Sequence, residues 1–373
     1  MVPDQLLLQA AFRRDSGVLD SWAAWARGRE LDTVDPVEAR LFSAVYRNLR
    51  DAGMADSEIP PLVKKAARST WILTRLLVRE ALATSSLLAS SGTRSLLLKG
   101  AALVAGGYHE AGVRPMADFD LLVRYEDMQD ASAVLAANGW VAATPLIKSV
   151  LDSRHALVFR RGESTCDLHW WALWESRDAG IDDRFWSAAE CVTFDGMTAS
   201  ILRPEHQLIH IVVHGSRAFD PSGVRWIGDA VAVLWARGGD FNWQVLVQEV
   251  EARRIEYPVG QALAYLTEHF GAAVPADVLA WMRSRNVPLG QRSMYVIPPA
   301  ERPDRYAYLY ASGYIWIHAL SGMKFFTRLL WLPRNLQQAF GLSELRQLPM
   351  EIARRSVKRL GAGVNAKGSG RGA

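Results

Sequence analysis

The sequence predicts an α+β fold: a small mixed sheet flanked by helical regions at both ends of the chain. Three observations predict it. Through the first 90 of the 373 residues, apolar side chains recur at three- and four-residue intervals, the spacing of a helical face. Between about 94 and 202 the pattern shortens to brief apolar or alternating runs, punctuated by Gly162-Glu163 and Asp195-Gly196, which are hairpin signals. From Pro204 onward the helical spacing returns.

Each element follows from local chemistry. LLLQAAF, the Trp22–Trp25 stretch, ARLFSAVYRNLRDAG and VKKAARSTWILTRLLVREALATSSLLASSG read as helices, with Gly53 and Gly92 where helix C-caps are expected. Ser95–Leu98 reads as a short strand, Lys99-Gly100 as a turn and Ala101–Tyr108 as a helix. The loop Glu110–Ala117 leads into a strand over Phe119–Arg124, and Glu126–Asn138 is an amphipathic helix closed by Gly139. His155–Arg161 and Ser164–Trp170 form one hairpin, and CVTFDGMTASIL forms another. LIHIVVHG, IGDAVAVLWARG, WQVLVQEVEARR and GQALAYLTEHFG return to helix, and no internal repeat is present. The expected organisation is a helical region over 1–90, an α/β core over 91–202, a helical domain over 203–352 and a basic tail over 353–373. The tail is too polar to pack and is expected to be disordered.

Composition narrows the function classes. Half of the residues are hydrophobic and 22% are charged, as in a soluble globular protein with room for two or three domains. Six of the 43 basic residues follow Ile352, where no acid occurs, leaving 37 basic against 39 acidic residues. The formal charge of +4 therefore reports the tail. A near-neutral folded part argues against long RNA or DNA, whose binding relies on many phosphate contacts. Cys166 and Cys191 have no metal-ligand spacing and are expected to be reduced, buried residues of a cytoplasmic protein. The start, MVPDQLLLQAAFRRD, carries an early acid and no uninterrupted apolar core, so it does not read as a signal peptide. Tyr306 to Met323 carries no formal charge but is too polar for a span of ~20 apolar residues. A buried helix is expected there, with peripheral membrane contact through 306–332 as the alternative.

The chemistry concentrates in LLLKGAALVAGGYHEAGVRPMADFDLLV, residues 96–123. Asp118 and Asp120 are two apart and run into Leu121-Leu122-Val123, so on a strand both carboxylates project from one side. Their mutual repulsion calls for a counter-charge, and a divalent cation supplies it with hard oxygen ligands. Asp167 is a third acid, inside the apolar strand Thr165-Cys166-Asp167-Leu168-His169-Trp170, where an unpaired carboxylate would be costly. It shares a face with His169. The separation of 47 positions from Asp120 to Asp167 accommodates a helix and a hairpin, enough for the later strand to return beside the first.

A glycine turn after a strand, an alternating pair of aspartates and a lone acid on a later strand resemble the DNA polymerase β-type nucleotidyltransferase superfamily. The longer string, with Asn138-Gly139-Trp140 and DLHW, is similar to a bacterial subgroup of nucleotidyltransferase family proteins whose substrates are mostly unassigned. The resemblance is specific over about 96–171, looser through HIVVHG and VRWIGDAVAVL, and does not cover residues 1–80 or the tail. It implies an enzyme in which Asp118 and Asp120 hold two Mg²⁺ ions, one brought by a nucleoside triphosphate. Asp167 would complete the second metal site and help deprotonate the attacking hydroxyl. Gly100 would let the backbone approach phosphate at the following helix N-terminus. The superfamily turn usually reads Gly-Gly or Gly-Ser, whereas this chain has Lys99-Gly100-Ala101. With no serine hydroxyl there, Lys99 or Arg114 would supply the phosphate contact.

Blander readings stand beside these. Asp118 and Asp120 would be surface loop acids; Asp167 would pair with an arginine such as Arg114; Lys99 and Arg114 would be a solvated strand end and a structural ion-pair partner; His169 would support Asp167 or merely be a satisfied histidine. His206, His210 and His214 span about 12 Å along a helix, too far to share one ion, although His214 could face the nucleotide. Trp170, Trp171 and Trp226 are expected near the cleft. The expected acceptor is a small molecule, sugar phosphate or peptide. The alternatives are nucleotidylation of a protein side chain, or a catalytically degenerate nucleotide-binding module.

Overall fold

The computed structural model describes residues 3–218, 223–287, 289–292, 294–297, 299, 333, 336–337, 342 and 344–354. Residues 306–332, the candidate membrane contact, and 355–373 of the basic tail lie outside the described residues. Among the described residues, no helix is long and apolar enough to cross a membrane.

The N-terminal region is helical: α1 (Gln5–Phe12), α2 (Gly17–Ala26), α3 (Pro36–Ala39), α4 (Phe42–Asp51) and α5 (Pro61–Ser90). Asp4 caps α1 by accepting from the Leu6 amide at 2.8 Å, and Asp35 caps α3 through Val37 at 2.8 Å. The 30 residues of α5, about 45 Å of helix, run along the sheet and touch β-strands from its centre. That sheet is built from β1 (Leu96–Leu98), β2 (Phe119–Leu122), β3 (Val141–Ala142), β4 (Ala156–Arg161), β5 (Ser164–His169), β6 (Glu190–Phe194) and β7 (Met197–Ile201). The helices between them are α6 (Lys99–Ala105), α7 (Met128–Ala137), α8 (Lys148–Ser153) and α9 (Asp183–Ser187). The α+β expectation holds.

Spatial order is β3-β4-β5-β2-β1-β7-β6. β2 pairs antiparallel with β1 and parallel with β5, while β7 pairs parallel with β1. The two hairpins, β4–β5 and β6–β7, turn at Gly162 and Asp195-Gly196, where φ is positive. Burial explains the order: β1 and β2 are buried at every position, as central strands covered on both faces require, whereas the edge strand β6 alternates. Cys191, expected to be buried, lies on that edge strand and is exposed; Cys166 is buried in β5, and both are free.

The C-terminal helices α10 (Pro204–Gly215), α11 (Arg225–Arg237), α12 (Trp243–Arg253), α13 (Glu256–Phe270), α14 (Ala276–Arg283) and α15 (Leu289–Arg292) follow. α10 is buried along nearly its whole length and contacts α6, α11, α12 and α13. One apolar core runs continuously from Leu7 to Tyr295. The C-terminal helices are also tied to the core by Arg253, which meets Asp182 at 2.9 Å and Glu249 at 3.1 Å with its side chain fully buried.

Candidate active site

Strand register brings the acids together. β2 lies between β1 and β5, with Asp120 opposite Leu98 on one side and Asp167 on the other. Adjacent strands stand about 4.8 Å apart, so the in-register pair Asp120–Asp167 is a carboxylate pair by construction. Two residues further along β5, on the same face, His169 places Nε2 3.0 Å from Asp120 Oδ1. One donor atom from each of Asp120, Asp167 and His169 falls within 4.8 Å of the others. That mixed oxygen and nitrogen set fits a divalent cation.

Lys99 supplies a resident positive charge. The chain leaves β1 through Lys99 with φ at +47°, a left-handed conformation unusual for a residue with a Cβ and costly by about 1–3 kcal/mol. It brings Nζ to 2.5 Å from Asp120 Oδ1, the oxygen that also meets His169. Burial alone would push the Asp120 carboxyl up, but the Lys99 ammonium and the His169 hydrogen bond outweigh it and hold Asp120 well below the carboxylate range. Asp167 goes the other way: burial and the neighbouring charge of Asp120 push it up.

Asp118 precedes β2 and lines the same cleft, outside the three-donor set. The cavity is about 360 Å³, within the range of small-molecule sites. Its walls carry Asp118, Asp120 and Asp167 against Lys99, Arg114, Arg217 and Arg225, with Trp226 and His214 contributed by the C-terminal helices. Gly100 lines it too, and a methyl group there would collide with the Arg114 guanidinium and the Met116 sulfur. The absence of a side chain at Gly100 thus lets Arg114 lie across the turn.

Arg114 does not pair with Asp167. Its Nε donates to both oxygens of Asp229, at 2.8 and 3.0 Å, and His109 Nε2 meets Asp229 Oδ1 at 3.0 Å. Burial pushes the Asp229 carboxyl up, but Arg114 and His109 overcome this and hold it at about 2. Burial pushes the His109 imidazole down, against the raising effect of Asp229. A second lining arginine, Arg217, is held by Glu175 through two bonds of 2.8 and 2.6 Å, both side chains being buried.

Sequence reasoning did not single out Arg217, Glu175, His109 or His155. The available signal was a charged or imidazole side chain among large apolar residues, as with Glu175 in WALWES. Trp170 and Trp171 do not line this cleft: they face a second cavity of about 250 Å³ with Arg124, Tyr125 and Trp186. They follow His169 directly at the end of β5, where alternation turns Trp170 to the face opposite Asp167 and His169. Of the three helical histidines, His206 stacks on Phe185 at 4.4 Å and is pushed down to about 3 by burial, while His214 lines the cleft.

A mixed α+β sheet that presents carboxylates from adjacent central strands to a cation-walled cleft is consistent with a nucleotidyltransferase core. The family model described as uncharacterised nucleotidyltransferase matches residues 37–271, and the chain belongs to that family. No curated protein matches the chain.

Proposed function

We propose that the protein transfers a nucleoside monophosphate from an NTP to an acceptor hydroxyl or phosphate and releases pyrophosphate, in the manner of the polymerase β-type superfamily. One observation carries this reading: Asp120 and Asp167 are in register on adjacent strands, with Asp118 in the same cleft, opposite a cationic wall. The acceptor oxygen would bond to the α-phosphorus as the bridge to the β-phosphate breaks, with Asp167 helping to take the acceptor's proton. Lys99, Arg217 and Arg225 line the cleft where the triphosphate would lie. Asp229 fixes the Nε edge of Arg114 and so directs the guanidinium's far end over Gly100, toward phosphate.

Asp118 and Asp120 would hold the ion that arrives with the nucleotide, and Asp120 and Asp167 a second, with Mg²⁺ as the expected ion for oxygen ligands. Bound there, the ions supply charge stabilisation to the attacking and leaving oxygens. The chemistry falls in the 91–202 core, while the 203–352 helices bring His214, Arg225 and Trp226. The acceptor is assigned to small molecules, sugar phosphates or peptides, with a protein side chain as the variant of the same chemistry. Two free cysteines support a cytoplasmic setting.

A second reading draws on Lys99. An ammonium 2.5 Å from Asp120 already satisfies that carboxylate, as a nucleotide-binding module without turnover would require. Incubation with Mg²⁺, each NTP and a small-molecule cell extract separates the two. Pyrophosphate release supports transfer; saturable NTP binding with no release supports the module; nucleoside diphosphate as product points to a kinase-like reaction instead.

A further inference from the structure

We propose that His169 is itself a metal ligand through Nε2, so that the inner ion of the cleft sits in a two-carboxylate, one-imidazole site. Such a site takes a first-row transition ion, Mn²⁺ as probe, in preference to Mg²⁺. The inference rests on the nucleotidyl-transfer reading and deepens it by naming the class of the second ion.

The donor set is the first reason. Among the described residues, the cluster able to surround one ion is Asp120, Asp167 and His169, and Asp118 is outside it. A site of three aspartates would present oxygen alone, which suits Mg²⁺. An imidazole nitrogen in that shell is a poor partner for so hard an ion and a good one for first-row transition ions. Asp118, at the mouth of β2, is left to serve the ion that travels with the nucleotide.

The second reason lies behind His169. Its Nδ1 is buried and has no hydrogen-bond partner among the described residues, and the same is true of His155 Nε2. The two rings are 5.2 Å apart at 69°. Paired buried nitrogens left without partners call for an explanation. When His169 only donates Nε2–H to Asp120, its Nδ1 is an idle buried acceptor beside a second imidazole ring. When Nε2 is a ligand, the proton moves to Nδ1 and needs an acceptor, which the lone pair of His155 Nε2 supplies. That is the outer-shell support that ligating histidines normally have. His155 is itself held in place by stacking on Trp174, at 5.8 Å and 5° between planes. Asp120 Oδ1 now serves both Lys99 and His169. An entering ion would replace the ammonium's role and release Lys99 toward the nucleotide's phosphates.

Pulsed EPR on the full chain, stripped of metal and loaded with Mn²⁺, tests this directly. Bound Mn²⁺ is expected to show imidazole nitrogen modulation that converts to the ¹⁵N pattern when the protein is grown on ¹⁵N-histidine. In His169→Gln the modulation is lost, and Mn²⁺ affinity falls by at least about tenfold while Mg²⁺ affinity changes little. Bound Mn²⁺ without histidine modulation in the wild-type protein overturns the inference and leaves the nucleotidyl-transfer reading standing. So does an equal loss of Mn²⁺ and Mg²⁺ affinity in His169→Gln, which would make His169 a positioning residue for Asp120. Failure to bind Mn²⁺ at all, with or without NTP, overturns the inference and the metal-dependent reading together.

Discussion

Two buried clusters in this molecule are built from the same parts. Asp120 has a histidine Nε2 at 3.0 Å and a cation at 2.5 Å; Asp229 has a histidine Nε2 at 3.0 Å and a cation at 2.8 Å. What surrounds them differs. Asp229 engages both oxygens with one guanidinium edge. Asp120 uses a single oxygen for both partners and has a second carboxylate, Asp167, beside it in register. The first cluster is closed: its charges are satisfied and it fixes Arg114. The second is open, with one carboxyl held far down and its neighbour pushed up. A carboxylate pair that stays unfavourable without a further cation is what a metal-binding cleft needs. A structural ion pair needs the reverse.

The comparison breaks or sharpens under four changes. Asp167→Asn removes one carboxylate of the open pair. It should lower turnover on the order of 10³-fold, several kcal/mol of lost charge stabilisation. The metal-free protein's melting temperature should hold or rise, because a repulsive charge has gone. Asp229→Asn should do the opposite to the fold. It leaves a buried guanidinium half-paired and should cost about 3–5 kcal/mol in chemical denaturation. Equal stability losses in the two variants would erase the distinction between closed and open clusters.

Acid should expose the closed cluster next. The Asp229 carboxyl is held at about 2 against an ordinary 3.8. Its contribution is therefore complete above about pH 4 and is lost as the pH falls through about 2, roughly 2 kcal/mol in all. Unfolding midpoints between pH 5 and pH 2 should fall more steeply for the wild-type protein than for Asp229→Asn, and the two slopes should match above pH 5. The smallest effect is expected from Arg114→Lys. It keeps the charge but gives up the two-oxygen contact with Asp229, at about 1 kcal/mol. A stability change as large as that of Asp229→Asn would mean that the substituted ammonium fails to reach Asp229.

Much of the open cluster was legible in the sequence, because its parts are local. Asp120 sits at the head of an apolar run, Asp167 interrupts another, and the parallel pairing of β2 with β5 puts the two side by side. The closed cluster was not. Arg114 and Asp229 lie 115 residues apart, and nothing local to either identifies the other. Glu175 and Arg217, 42 apart, are invisible for the same reason. β3 is two residues long and too short to show a period. The Lys99–Asp120 contact is hidden too, because it follows from a positive φ at Lys99 that periodicity does not reveal. Trp170 and Trp171 follow His169 directly in sequence, yet they line a second cavity with Arg124 and Trp186, a change of direction that proximity in sequence does not show.

In the proposed reaction the open cluster directs an acceptor oxygen onto the α-phosphorus of a nucleotide. Wild-type protein and Asp120→Asn, side by side with Mg²⁺ or Mn²⁺ and NTP labelled separately at the α- and γ-phosphates, test it most directly. Transfer of the α label to an acceptor, with the γ label recovered in pyrophosphate and both lost in Asp120→Asn, is the predicted result. Release of the γ label as phosphate or its transfer to an acceptor, or α transfer that survives in Asp120→Asn, would contradict it.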